Sequence, residues 1–125
     1  MPTLVDSDVL IDTLRGSDRA TEYLLRTRRA EEVLSVTPVR TEVLGGVRPD
    51  EVRRTIDILG LVQWMDVTVE IADVAAGLTR RHRPAHSGID IVDYLLAAAA
   101  IEVDGVVATR NVRHFPMFPG LQPPY

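Results

Sequence analysis

Short apolar runs alternate along this chain with longer stretches in which apolar side chains recur at helical spacing. Leu4-Val5 reads as a short buried strand that stops at Asp6. A helical pattern follows from about Asp8 to Arg15, with Gly16 as its stop signal. Ser17 suits the N-cap of the next helix, which turns Ala20, Tyr23, Leu24 and Thr27 toward one face. Val33 to Val36 reads as a second strand. Thr37-Pro38 then opens a helix, threonine as the cap and proline at the first helical position, that ends near Gly45-Gly46.

Pro49-Asp50-Glu51 starts another helix, its acids lying where the helix dipole favours them, and Gly60 closes it. Val62 to Val67, with Trp64, predicts a third strand. Val69 to His82 predicts a helix ended by Pro84. Ser87 opens the next helix, which runs to about Val103. The turn pair Asp104-Gly105 leads into Val106-Val107-Ala108, a final buried strand. The proline-rich tail from Pro116 to Tyr125 reads as a docked extended segment. Strands alternating with helices predict an α/β fold, with a central, mostly parallel sheet of about four or five short strands flanked by helices. No linker or repeat divides the chain, so residues 1–125 are expected to form one domain. In such sheets the functional crevice lies beyond the carboxyl ends of the strands. Asp6 and the segment Thr109-Arg110-Asn111 would stand there.

A hydrophobic content of 46% argues for a folded globule. No apolar run reaches the roughly 18 residues of a membrane span. The start of the chain lacks the pattern of a secretory signal. No membrane role and a cytoplasmic location are the simplest expectation. Zero cysteines remove disulfides and thiolate metal sites. The net charge is -4, and all fourteen basic residues are arginines. Global charge therefore does not announce a nucleic-acid binder, although Arg26, Arg28 and Arg29, Arg53 and Arg54, and Arg80, Arg81 and Arg83 cluster.

Against that background a few acids sit where carboxylates are costly. Asp6 ends an apolar strand. Glu42 lies among Val39, Val43 and Leu44, beyond the capping turn if Thr37 is the cap. Asp93 opens into Tyr94-Leu95-Leu96 and four alanines. Counted from Ser87 it lies past the first turn, whereas Asp90 completes a capping box with Ser87. One of Asp6, Ser7 and Asp8 suffices to cap the helix that follows, and Asp6 borders the strand instead. Withdrawn carboxylates need partners, and a chain without lysine cannot supply ammonium ions. A shared divalent cation compensates several acids at once, and oxygen-only ligands favour Mg²⁺ or Mn²⁺ over zinc. Pro84 separates His82 from His86 and argues against a zinc pair there. His114 reads as a surface or packed histidine. Asn111, at the crevice edge, can coordinate through its carbonyl oxygen or orient a ligand water.

Four stretches resemble the PIN-domain ribonucleases, and within them the VapC toxins of toxin–antitoxin pairs. Leu4 to Ile11 is similar to the family's opening strand, first acid and helix start. Thr41 to Gly46 is similar to its second-acid helix, and Ile91 to Ala100 to its third. Val107 to Phe115 resembles the closing strand with its Thr-Arg-Asn turn. The resemblance covers nearly the whole chain in order. It implies that Asp6, Glu42 and Asp93 bind the metal, with Asn111 where some members keep a fourth aspartate. Asp8 stands where Asn, Ser or Thr is more usual, and whether it or Asp90 joins the site stays open.

The chemistry so implied is hydrolysis of RNA phosphodiester bonds by metal-activated water. Ser7 and Thr109 would support the metal ligands through hydrogen bonds, and Arg110 would touch the RNA backbone. The resemblance also implies a homodimer and a VapB-type antitoxin, whose inserted arginine would block an acid-rich site. Three rivals compete with this reading. A haloacid-dehalogenase-like phosphatase shares the Asp6-Ser7-Asp8 pattern after a strand, but normally enlists a lysine. A receiver-like module needs a mid-chain strand-end aspartate and a late lysine. An inactive PIN scaffold would have no need of the three acids.

Overall fold

A computed structural model describes all residues from Met1 to Tyr125. Four short strands, β1 (Thr3–Val5), β2 (Val33–Val36), β3 (Gln63–Met65) and β4 (Val106–Ala108), form one sheet in the order β3-β2-β1-β4, every pairing parallel. Helices α1 (Ser7–Leu14) and α2 (Asp18–Ala30) join β1 to β2. Helices α3 (Thr37–Gly45) and α4 (Val52–Leu59) join β2 to β3, and α5 (Val69–His82) and α6 (Ile91–Glu102) join β3 to β4. The chain thus steps outward from β1 through β2 to β3, then crosses to the far side of β1. That reversal opens a crevice between the carboxyl ends of β1 and β4.

Core side chains account for the strands. Leu4, Val5 and Val36 are wholly buried, and the buried Ser35 hydroxyl donates to the Val5 carbonyl at 2.7 Å. Helix α6 lies directly on β1, β2 and β4, with α5 packed outside it. The alanines Ala97 to Ala100 make this possible, because side chains that small let the helix backbone approach the sheet. Behind α6 the chain turns sharply at Asp104, which takes a left-handed φ of 53°. A Cβ on Gly105 would stand 2.6 Å from Leu4 Cδ1 and 2.8 Å from the Pro2 carbonyl oxygen. Gly105→Ala is therefore expected to lower stability by about 1–3 kcal/mol, read as the shift in a urea midpoint. A change below about 0.5 kcal/mol would show that β1 gives way freely.

Several element boundaries differ from the sequence reading. Strand β3 covers only Gln63–Met65, at the sheet edge, with Gln63 exposed. Pro49–Glu51 forms a single 3-10 turn before α4. The N-cap of α3 is Val36, which leaves the strand with extended backbone and makes Thr37 helical. Asp6 is itself the N-cap of α1, its Oδ1 accepting from the Ser7 amide at 2.8 Å. Ser87 caps nothing. Gly88, at φ 90°, turns the chain away, and α6 starts only at Ile91 with Asp90 as N-cap. Asp90 and Asp93 form the capping box, which puts Asp93 in the first turn. Pro84 does not stop the coil at once: the His86 amide donates to the His82 carbonyl at 3.0 Å. The two imidazole centroids stand 6.2 Å apart.

The tail docks, as its composition suggested. Met117, Phe118, Leu121 and Tyr125 pack against the core, and the Tyr125 hydroxyl donates to Asp12 at 2.7 Å. No helix is long and apolar enough to cross a membrane.

Candidate active site

Asp6 stands at the crevice because β1 ends one residue before it, with only 4% of its surface exposed. Its Oδ2 accepts from the Thr109 hydroxyl at 2.8 Å, across the β1–β4 junction. Burial, then the charge of Asp8, raises its pKa from 3.8 to about 7; the Thr109 and Ser7 hydrogen bonds oppose this, and Asp93 adds to it. Thr109 Oγ1 also accepts from the Asn111 amide at 3.0 Å, so one buried hydroxyl ties the acid to the turn after β4.

Asp8, one helical step on, accepts from the Arg110 amide at 2.8 Å through Oδ2. Its Oδ1 is buried without a partner. Burial again leads in raising its pKa. Asp93 is 8% exposed and reaches the same edge from α6. Its Oδ2 lies 3.1 Å from His114 Nδ1. Burial and then Asp90 raise its pKa, while the Asp90 amide and His114 pull the other way. Glu42 approaches from α3. It is exposed, not withdrawn from water as its apolar neighbours in sequence suggest, since Val39 and Val43 turn inward and Glu42 does not. Its pKa is nevertheless raised, by partial burial, then Asp90 and Asp93, with the Ser7 hydroxyl opposing.

Asp6, Glu42 and Asp93 thus share one electrostatic field, to which Asp8 and Asp90 contribute. No three histidine or acidic side chains, however, are arranged so as to hold an ion among themselves. Asn111 is exposed, and its side-chain amide makes no hydrogen bond within the chain; its backbone carries the link to Thr109. The Arg110 guanidinium is engaged by Asp12 at 3.0 Å, leaving its amide as the group that serves the acids. A cavity of about 500 Å³ lies at the opposite, amino-terminal edge, between Arg28 to Val33 and Gly60 to Gln63. None of the clustered acids lines it.

Comparison with known proteins gives the family. The family model described as "PIN domain" matches residues 3–118. The chain is 46% identical over 123 residues to "Ribonuclease VapC19" of Mycobacterium tuberculosis, covering 98% of each. The chain belongs to the PIN-domain family, in its VapC-type branch of toxins. A toxin–antitoxin complex from Klebsiella pneumoniae superposes with a TM-score of 0.81 at 23% identity, covering 98% of both chains. VapBC2 from Rickettsia felis, bound to a promoter DNA fragment, gives 0.80 at 18%, covering 97% of this chain and 96% of that one. At those identities the two structures speak for the fold. Membership in the PIN family removes the phosphatase and receiver readings.

Two features of this PIN-fold edge escaped the sequence. His114 sits against Asp93, and only its place in the turn after β4 pointed toward the crevice. Asp8 is locked to Thr109 and Arg110 across about a hundred residues, a pairing that no local pattern encodes.

Proposed function

We propose that this chain is a Mg²⁺- or Mn²⁺-dependent endoribonuclease, the toxin of a VapBC-type pair, hydrolysing RNA phosphodiester bonds. The observation that supports it most is the convergence of Asp6, Asp93 and Glu42 toward one edge, each raised in pKa by burial first and by a neighbouring acid second. The donor set fits a hard divalent cation. All its atoms are oxygens, and a buried Asp8 oxygen stands unpaired beside it. An ion of the Mg²⁺ class needs no protein cage. It usually keeps several waters and takes one or two carboxylates together with substrate phosphate. The absence of a closed triad therefore agrees with that class better than with a structural zinc site.

One or two of Asp6, Glu42 and Asp93 would hold the ion directly, and the rest would act through its waters. Bound there, it would supply a water of lowered pKa and offset charge on the phosphoryl oxygens. The chain's own groups fix the ligands. Thr109 and the Ser7 amide grip both oxygens of Asp6, so its carboxylate plane cannot rotate. His114 and the Asp90 amide meet instead on a single oxygen of Asp93, Oδ2, which they orient. Asn111, whose amide donates to Thr109, would steady a water or an ion at the rim.

An antitoxin partner is supported by the structural relatives, which are toxin–antitoxin complexes. A homodimer would bury apolar side chains now at the surface, such as Val69 at 73% exposure and Ile91. The test is direct. Purified chain, freed of any partner, is expected to cut single-stranded RNA in Mg²⁺ or Mn²⁺ and to stop on addition of EDTA. Undiminished cleavage in EDTA would exclude the metal mechanism; no cleavage under any condition would favour an inactive scaffold.

A further inference from the structure

One flank of the acid-rich crevice carries the opposite sign. Residues 80–89 hold Arg80, Arg81, Arg83, His82 and His86, and no acid. Arg80 to His82 close α5, where cations complement the last carbonyls of the helix. That accounts for the final turn only. His86 lies beyond it, and Arg113 reaches the same place from the separate 3-10 turn after β4. Arg83 is held with its guanidinium 5.8 Å above the centre of the Tyr94 ring.

The loop and the 3-10 turn together line an open cavity of about 460 Å³, walled by Ala85, His86, Ser87, Gly88, Arg113 and His114. No carboxylate lines it. None of Arg80, Arg81, Arg83 and Arg113 has a carboxylate oxygen within 4.0 Å. The amides of Ser87 and Gly88 find no acceptor within the chain, and Gly88 holds its left-handed turn between them and α6. The Arg113 guanidinium, two imidazoles, the Ser87 hydroxyl and the two free amides make a wall rich in donors. Such a wall repels cations and receives anions. The cavity meets the acids at a single residue: His114 forms part of its wall and stands 3.1 Å from Asp93.

We infer that this cavity takes a backbone phosphate of single-stranded RNA, next to the bond presented to the acids, so that the strand runs over residues 80–89. The inference rests on the ribonuclease reading and adds to it the side on which the strand lies. Phosphate contact by Arg113 and the loop amides fixes register without reading bases.

The test measures binding separately from cleavage. A fluorescein-labelled 12-nucleotide single-stranded RNA is titrated by anisotropy with full-length Asp6→Asn protein in Mg²⁺, which keeps the strand intact. Adding Arg113→Gln is expected to weaken binding roughly tenfold, the loss of one charge-assisted contact. It is also expected to make the slope of log K against log salt shallower by about 0.7. His86→Gln, on the facing wall, gives a smaller loss in the same direction. The double variant Arg53→Gln/Arg54→Gln removes more charge from α4 and is expected to change binding less than twofold. Equal losses at both places would reduce the effect to general charge and overturn the inference. So would RNA binding unaffected by Arg113→Gln, or no binding by the parent. A labelled poly-glutamate peptide whose binding needs Arg113 and is unaffected by saturating RNA would overturn the inference and assign the cavity to an acidic protein segment. A chain that binds RNA here but never cleaves it would sink the nuclease reading and leave the strand path standing.

Discussion

Asp6→Asn is expected to abolish RNA cleavage and, in the same protein, to raise its melting temperature in EDTA at pH 8. The two effects have one cause. Asp6 is buried at the end of β1, and its surroundings push its pKa up to about 7, so at pH 8 the fold holds an ionised carboxylate that burial and Asp8 disfavour. Asparagine keeps the shape and can still accept from the Ser7 amide, but carries no charge. Relief of a shift of this size is worth at most about 4 kcal/mol. Weaker hydrogen bonds to Ser7 and Thr109 return part of that, leaving a gain of about 1–3 kcal/mol. In a chain of this size that is a rise of about 3–10 °C. On the proposed mechanism cleavage moves the other way, because a group that would hold the cation is gone, and a loss of at least about a hundredfold is expected. Thermal melts and a gel-based cleavage assay on one preparation check both. A variant that melts lower, or that cuts RNA at the parental rate, would remove Asp6 from the site.

The combination of lost activity and gained stability separates a functional acid from a structural one. Asp90 offers the contrast. It also caps a helix, accepting from the Asp93 amide at 3.1 Å, but it is exposed and its charge helps the helix start.

Much of this architecture was readable because burial leaves a periodic trace. Leu4-Val5, Val33 to Val36 and Val106 to Ala108 are apolar runs too short for helices, and each is a strand. Ala97 to Ala100 announced a helix in close contact with a sheet, and α6 lies on three strands. What failed was local geometry decided by a single φ. Nothing in Ser87-Gly88-Ile89-Asp90 says that Gly88 adopts φ 90°, yet that angle moves the cap from Ser87 to Asp90 and brings Asp93 into the first turn. Glu42 misled for a related reason: neighbours in sequence turn to different faces of a helix, and only Val39 and Val43 go inward. The acids' shared edge followed from strand order, which sequence alone leaves open. His114 on Asp93 and Arg110 on Asp8 and Asp12 are contacts between distant segments, invisible to any pattern of spacing.

The metal-free chain is expected to be more stable at pH 5.5 than at pH 8, against the habit of proteins whose buried acids are ion-paired. The direction follows from Asp6. Its pKa is 3.8 in the unfolded chain and about 7 in the fold, so between those values the folded state binds the extra proton. Its contribution to stability is fully present below about pH 4 and is lost as pH rises through about 7. Between pH 5.5 and pH 8 the change is about 2 kcal/mol. Asp8, Asp93 and Glu42 shift the same way, so their contributions also fall as pH rises. His82, pushed down by burial and Arg81, opposes them, but near the surface its effect is small. Urea denaturation at the two pH values, in EDTA and in millimolar Mg²⁺, reads the slope. Mg²⁺ should flatten it, since a bound cation makes the ionised carboxylates the favoured form and is itself favoured by their deprotonation. Asp6→Asn should lose the largest part of the slope in EDTA. A parent chain equally stable at both pH values would mean that water reaches Asp6 and that the edge is no low-dielectric crevice. A slope that survives Mg²⁺ unchanged would mean that the acids crowd together for some purpose other than holding an ion.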